Sequence, residues 1–234
     1  MTGPPVTPIG PIQRGPTPVV RRLGVVAYGQ ALEAMRRFTG ARDGGTPDEI
    51  WLLQHPPVYT RGQRQAGLAP ESTPADIPVV QADRGGLTTY HGPGQLVAYV
   101  LLDLRRLGWG VKEVVRRLEQ AVMDLLEGYG LAGRRRPGAP GVYVDGAKVA
   151  ALGLRVRGGC CYHGLSLNVD MDLAPFQHIV PCGLQGLRVT QLRDLGVGED
   201  LDRVADALLH HLARRLWGAG SLSGQARTGF PAGC

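Results

Sequence analysis

Residues 84–95 constrain this chain more than any other stretch: Arg-Gly-Gly-Leu-Thr-Thr-Tyr-His-Gly-Pro-Gly-Gln, set between two apolar runs. Gly85 and Gly86 free the backbone for positive φ or for close approach to a ligand, and Gly92-Pro93-Gly94 forces a sharp reversal directly after His91. A pair of structural turns needs only soluble residues between its glycines. Here the positions are held by Arg84, Thr88, Thr89, Tyr90, His91 and Gln95, a polar set that predicts a bound group meeting bare amides beside a short threonine-bearing strand.

Around this stretch the pattern alternates strands and helices. β-branched residues predict a strand over 19–26, and Ala31, Leu32, Met35 and Phe38 recur at helical spacing over 28–38. The run 50–53 reads as a buried strand ended by His55-Pro56-Pro57. His55 reads either as facing a site or as a loop histidine without a role. Residues 60–78 read as a long polar loop and a candidate entrance. A brief strand at 79–80 precedes the glycine stretch, and 96–102 reads as a central strand after it. Over 111–129 an apolar stripe predicts a helix with Lys112, Glu113, Arg116, Arg117 and Glu119 facing water. A hairpin of 141–144 and 149–156 turns at Asp145-Gly146, with Lys148 at the start of its second strand. A strand at 162–169, a short element at 189–192 and a closing helix at 200–216 complete the reading. The Pro-rich residues 1–18 and the Gly- and Ser-rich residues 218–234 are expected to be loose tails around one catalytic domain, 19–217.

Composition narrows the function classes. The 234 residues can bury one substantial core, and 26 Lys and Arg against 20 Asp and Glu leave +6, which favours acidic partners. Nucleic acid is one such partner and an acidic carrier protein another; aromatics are 6% of residues, and none is interleaved with Arg134-Arg135-Arg136 as a stacking platform, which argues against an RNA module. That arginine run reads as a solvated loop or a docking contact. With neither a long apolar run nor a signal leader, no membrane contact is expected and the cytoplasm is the expected location. Cys160, Cys161, Cys182 and Cys234 show no CxxC spacing, so reduced thiols and no metal are expected. Residues 141–148 resemble a P-loop superficially, but Ala147 and Val149 stand where that motif needs Gly and Ser or Thr, and no Rossmann fingerprint opens a helix.

Pro181-Cys182-Gly183 places a thiol in a turn, and 176–180 is positioned to wall an acyl pocket. Together with 84–95, with Gly-Ala-Lys-Val-Ala-Ala-Leu-Gly at 146–153 and with His-Gly-Leu-Ser-Leu-Asn-Val at 163–169, this motif resembles the lipoyl (octanoyl) transferases. These enzymes move an octanoyl group from acyl carrier protein onto lipoyl domains, and the resemblance extends loosely over 19–217. It implies an α+β fold, a single mixed β-sheet flanked by helices, similar to the catalytic domains of biotin and lipoate protein ligases. It implies that Cys182 is an acyl-thioester nucleophile activated by Lys148. By the same matching, Arg84, Gly85, Gly86, Leu87, Thr88, Thr89, Tyr90 and His91, then Ala151, Leu152 and Gly153, and Gly164, Leu165 and Ser166, bind substrate, with His163 and Asn168 in support.

The partners implied are octanoyl-acyl carrier protein as donor, and as acceptors the lipoyl domains of 2-oxoacid dehydrogenase complexes and the glycine cleavage H protein. No cofactor, metal or nucleic acid is implied. Gln191 departs from the serine usual in the family. The chemistry is sound on its own terms: a thiol near pKa 8.5 is a few per cent thiolate at pH 7, and lowering it by about two units gains roughly twentyfold in reactive species. The alternative is an ATP-dependent ligase of the lipoate or biotin type, which needs no nucleophilic cysteine.

Overall fold

The computed structural model describes residues 16–65, 73–180, 186–218 and 226–234. Its centre is β6 (Gln95–Asp103), nine residues all buried, the run of apolar side chains expected of a strand covered on both faces. On one side β6 pairs antiparallel with β2 (Glu49–Gln54), which runs parallel to β1 (Val19–Val25). On the other it pairs with β9 (Cys160–Asn168), followed by the hairpin strands β8 (Ala147–Arg157) and β7 (Gly141–Val144), all antiparallel. With β10 (Arg227–Thr228) beyond β1, the sheet has seven strands in the order β10-β1-β2-β6-β9-β8-β7. The β1 to β2 crossover carries α1 (Tyr28–Ala41), as a parallel pair requires. The fold is thus α+β with a large mixed sheet.

Each face of the sheet has its own core. On one face, Leu96, Ala98, Val100 and Leu102 pack against α3 (Val111–Gly128) and α4 (Leu201–Trp217). On the other, Trp51, Leu53, Val97, Tyr99, Leu101 and Tyr162 pack against Tyr28, Met35 and Phe38 of α1. Side-chain carboxylates cap two of the helix starts: Asp103 accepts from the amides of Arg105 and Arg106 in the one-turn α2 (Leu104–Leu107), and Asp200 accepts from Arg203 N.

Several elements differ from the sequence reading. The supposed loop 60–78 starts inside β3 (Val58–Arg61), which with β4 (Val79–Gln81) and β5 (Thr89–His91) makes a second, three-stranded sheet in the order β4-β3-β5. Four residues after two prolines carry little periodic signal, so β3 was legible only through its partners. Arg117 and Glu119, expected in water, are buried: Arg117 donates to Arg215 O and stacks on Trp109, and Glu119 binds Gly141 N and Arg135. Cys160 and Cys161 open β9, two residues before the strand expected at 162, and are buried. Residues 226–234, expected in a loose tail, pack onto the domain. β10 pairs with β1, and Phe230 meets Trp51 edge-on with ring centroids 5.4 Å apart. Those residues contain no apolar run, so their order depends on the free edge that β1 offers.

Candidate active site

The bulge in β8 is the local event that builds the site. Tyr143 pairs with Lys148 and Val142 with Ala150, so Val149 is an extra residue, and alternation resumes with its phase shifted. As a result Lys148 shares a face with Gly141, Ala151 and Gly153 rather than opposing them. Its side chain is almost wholly buried, Nζ donates to Pro140 O (2.9 Å) and stands over the Tyr143 ring (5.3 Å), and Cε runs where a Cβ on Gly141 would lie. Gly141 must therefore be glycine, both for this contact and for its φ of 146°.

The neighbouring strand presents the matching face. Ser166 pairs with Ala151 and Gly164 with Gly153, and on their other side the same two residues pair with Val97 and Tyr99. A Cβ on Gly164 would stand 2.1 Å from Ala98 O, so the strands close together here only around glycine. These residues, with Leu152, Leu165, Phe176 and Val189, line a cleft roofed by the glycine stretch. Most of the expected site residues line it: Arg84, Gly86, Leu87, Thr88, Thr89, His91, Lys148, Ala151, Leu152, Gly153, His163, Gly164, Leu165 and Ser166. Gly85, Tyr90 and Asn168 stand behind it instead. Gly85 N donates to Leu154 O (2.9 Å), tying the roof to β8, and Tyr90 packs between Tyr59 and Phe176. Cys182 lies outside the described residues.

Arg84 holds the roof in place. Its guanidinium donates to the carbonyls of Gly85 (3.0 Å), Leu87 (2.8 Å) and Thr60 (2.6 Å) and to Thr60 Oγ1 (2.8 Å), binding the loop to β3. The same loop is fastened from the other side by Gln65, whose Oε1 accepts from Thr88 N and from Thr88 Oγ1.

Behind His91 runs a buried hydrogen-bond chain whose direction is fixed by its ends. Asn168 Nδ2 donates to Thr190 O (2.9 Å), so its Oδ1 accepts from Gln95 Nε2 (2.9 Å), which also donates to Tyr90 O (3.3 Å). Gln95 Oε1 is then an acceptor, and His91 Nδ1 must be the donor across 2.6 Å. Its Nε2 keeps a lone pair. Burial, aided by the nearby His55, pushes the His91 pKa well below the usual range, so the ring is neutral. Asn168 therefore acts as a strand-end hydrogen bonder.

His55, whose reading the sequence left open between facing a site and having no role, belongs to the same region, as do Tyr28, Tyr99 and Asp83, for which the sequence suggested nothing. His55 is fully buried; its Nδ1 donates to Val26 O (2.6 Å), and its Nε2 accepts from the Tyr99 hydroxyl (2.7 Å). Asp83 accepts from His163 Nε2 (2.8 Å), from the Tyr162 hydroxyl (2.7 Å) and from Arg36 (2.9 Å). Burial alone would raise its carboxyl; those three donors outweigh burial and hold it well below the usual carboxylate range. A single histidine before two prolines and a single aspartate before the glycine loop carry no spacing that would have revealed them. Gln191, the departure from the family pattern, accepts from Met171 N (2.6 Å) and donates to Asp194 (3.1 Å), a local brace. Among the described residues no His, Cys, Asp and Glu cluster could hold a metal ion, and no helix is long and apolar enough to cross a membrane.

Residues 27–213 match the family model of the lipoyl protein ligase A/B catalytic domain. An octanoyltransferase of Azoarcus sp. (strain BH72) is 60% identical over 198 residues, covering 85% of this chain and 87% of its own. One from Thiobacillus denitrificans is 56% identical over 214 residues, covering 91% and 97%. Among solved structures, a bipartite lipoate protein ligase from Thermoplasma acidophilum has a TM-score of 0.69 at 19% identity, covering 90% of this chain and 87% of that one. Biotin protein ligase from Aquifex aeolicus, in complex with biotin and ATP, has a TM-score of 0.57 at 15% identity, covering 87% and 73%. At such identities the two ligases share a fold with this chain.

Proposed function

This chain belongs to the family of the lipoyl protein ligase A/B catalytic domain, and we propose that it works within that family through a cysteine thioester on Cys182. Its activity is octanoyl transfer in lipoate biosynthesis, the activity that gives relatives of about 60% identity over most of the chain their name. The donor is octanoyl-acyl carrier protein. The acceptor is the lysine of a lipoyl domain, such as those of the 2-oxoacid dehydrogenase complexes or the glycine cleavage H protein.

The thiolate of Cys182 attacks the donor's thioester carbonyl; a new C–S bond forms, the old one breaks, and the carrier's thiol leaves with a proton. The acceptor amine then attacks the enzyme's thioester and passes a proton to Lys148, restoring the one given to the carrier's thiol; the amide C–N bond forms, the C–S bond breaks, and Cys182 is released as thiolate. Both steps start from a thioester, so no ATP is consumed. Lys148 supplies the cation beside the thiolate and a proton for the leaving thiol.

The observation that carries this reading is the β8 bulge, which turns a buried lysine into an otherwise largely apolar cleft. Two further features support it: the chain lines that cleft at Phe176 before Cys182 and at Val189 after it, and Val189 is bridged to Lys148 itself. The glycine roof and the Ala151, Gly153, Gly164 and Ser166 floor give an alkyl chain a narrow slot without side-chain bulk. Incubating the protein with octanoyl-acyl carrier protein and a lipoyl domain tests the function. The acceptor lysine should gain one octanoyl group without ATP; gain only with ATP and free octanoate would make the protein a ligase.

A further inference from the structure

The far end of the cleft from Lys148 carries an arrangement that thioester exchange does not require. By strand alternation His163 would face away from Gly164, on the side of Val100 and the helices α3 and α4. Its φ of 64° instead turns the imidazole onto the cleft face, where it stacks on Tyr162 (ring centroids 5.0 Å apart) and meets Tyr99 edge-on (5.9 Å). A left-handed non-glycine residue inside a strand is strained, and such strain persists where the surroundings impose it.

Hydrogen-bond bookkeeping fixes the tautomer. Asp83 Oδ2 is occupied by the Tyr162 hydroxyl and Arg36, and Oδ1 accepts from His163, so the proton sits on Nε2. Nδ1 is then an acceptor, and it is buried with no partner among the described residues. Burial, opposed by the Asp83 bond, keeps the ring's pKa below its usual value, consistent with a neutral acceptor. A buried polar atom left without a donor is costly, and native structures rarely leave one so.

Along the strands His163 stands well apart from Lys148. His163 pairs with Leu154, six residues along β8 from Lys148, about 20 Å of strand. The lysine side chain reaches back beside Gly141, which pairs with Ala151, so its ammonium lies roughly 10 Å from the His163 level. An extended eight-carbon acyl chain, built from bonds of about 1.5 Å, spans about 9 Å. A chain that starts at the level of the ammonium and runs along the strands therefore ends at the imidazole.

We propose that His163, held by Asp83 and by its left-handed backbone, is the residue that sets acyl-chain length, its Nδ1 accepting a hydrogen bond from a donor just beyond the eighth carbon. With an octanoyl chain that donor is a water molecule. A longer alkyl chain displaces the water and leaves the acceptor dry, whereas a chain ending in a hydroxyl replaces the water's bond. A site built to hydrogen-bond discriminates strongly against an isostere that lacks the donor.

This inference rests on the octanoyl-transfer reading, and one comparison separates the two. Pantetheine thioesters of octanoate, nonanoate and 8-hydroxyoctanoate are offered to the wild-type protein with a lipoyl domain as acceptor, and kcat/KM is read for each. Nonanoyl and 8-hydroxyoctanoyl differ by CH3 against OH at one position. The expected result is efficient octanoyl transfer with 8-hydroxyoctanoyl preferred over nonanoyl by about tenfold. Octanoyl transfer with nonanoyl as good as or better than 8-hydroxyoctanoyl overturns the role of His163 alone; no octanoyl transfer overturns the reading beneath it as well. In His163→Gly, which adopts a left-handed backbone without strain and carries no side-chain acceptor, the preference should fall below about twofold while decanoyl gains on octanoyl. A folded His163→Gly protein that keeps the tenfold preference also contradicts the proposal.

Discussion

Lys148 and Val189 lie side by side in a parallel bridge, with Lys148 N donating to Arg188 O (2.8 Å) and Thr190 N donating to Lys148 O (2.9 Å). The strand that carries the lysine is thereby fastened to the chain that follows Cys182, seven residues from Val189 in the sequence. The proposed dyad of Cys182 and Lys148 depends on the lysine's charge for reactivity and on this bridge for placement.

Removing the charge while keeping much of the bulk, as in Lys148→Met, should lower transfer by at least the roughly twentyfold that a two-unit change in thiol pKa represents. The fold should survive, because methionine fills irregular apolar space well. Alkylation of Cys182 followed against pH checks the cause: the apparent pKa should move upward in the variant. An unchanged alkylation profile would mean that Lys148 acts on something other than the thiol.

Acid should destabilise the protein in a defined window. Burial holds His55 at about 4 against its ordinary 6.5, so between those values the unfolded chain takes up a proton that the folded chain refuses. Stability is fully present above pH 6.5, falls as pH drops, and levels off near 4 as far as this residue is concerned. The loss amounts to roughly 3 kcal/mol, from about 1.4 kcal/mol per unit. His91 and His163, also held below their usual values, act in the same direction. Urea unfolding at pH 7, 6, 5 and 4.5 should show this decline, and His55→Gln should make it shallower. Equal slopes for both proteins would remove His55 from the account.

Legibility in the sequence followed the strength of local signal. The strands over 19–26, 50–53, 96–102 and 162–169 were read from apolar runs and β-branched residues, and the Asp145-Gly146 hairpin from its turn, where φ is 48° and 77°. The family resemblance brought the glycine stretch and the Lys148, Ala151, Gly153, Gly164 and Ser166 strands into one reading, and the structure gathers those residues around one cleft. What periodicity could not carry was anything set by a remote partner. β3 and β10 exist because neighbours offer them an edge; Arg117 and Glu119 are buried because Arg215 O and Gly141 N await them. The Val149 bulge, which turns the lysine inward, appears only once β7 and β8 are in register.

Beneath α1, a buried ion pair locks β1 to β2. Arg21 donates to both carboxylate oxygens of Glu49 (2.7 and 3.0 Å), and Trp51 Nε1 donates to the same carboxylate (2.5 Å). Arg21→Met should cost about 3–5 kcal/mol, because it strands a buried carboxylate. Pairing it with Glu49→Gln should recover much of that loss, since the amide oxygen can still accept from Trp51 without a charge to bury. Chemical denaturation of the three proteins decides it, and a loss below about 1 kcal/mol for Arg21→Met would contradict a structural role for the pair.

The most direct measurement of the account is intact-protein mass spectrometry after mixing with octanoyl-acyl carrier protein, with neither acceptor nor ATP present. The account predicts one added octanoyl group that hydroxylamine removes and a lipoyl domain discharges; it persists when Cys160, Cys161 and Cys234 are changed to alanine and is absent in Cys182→Ser. An adduct that survives in Cys182→Ser, or that forms only when ATP and free octanoate are supplied, would contradict it.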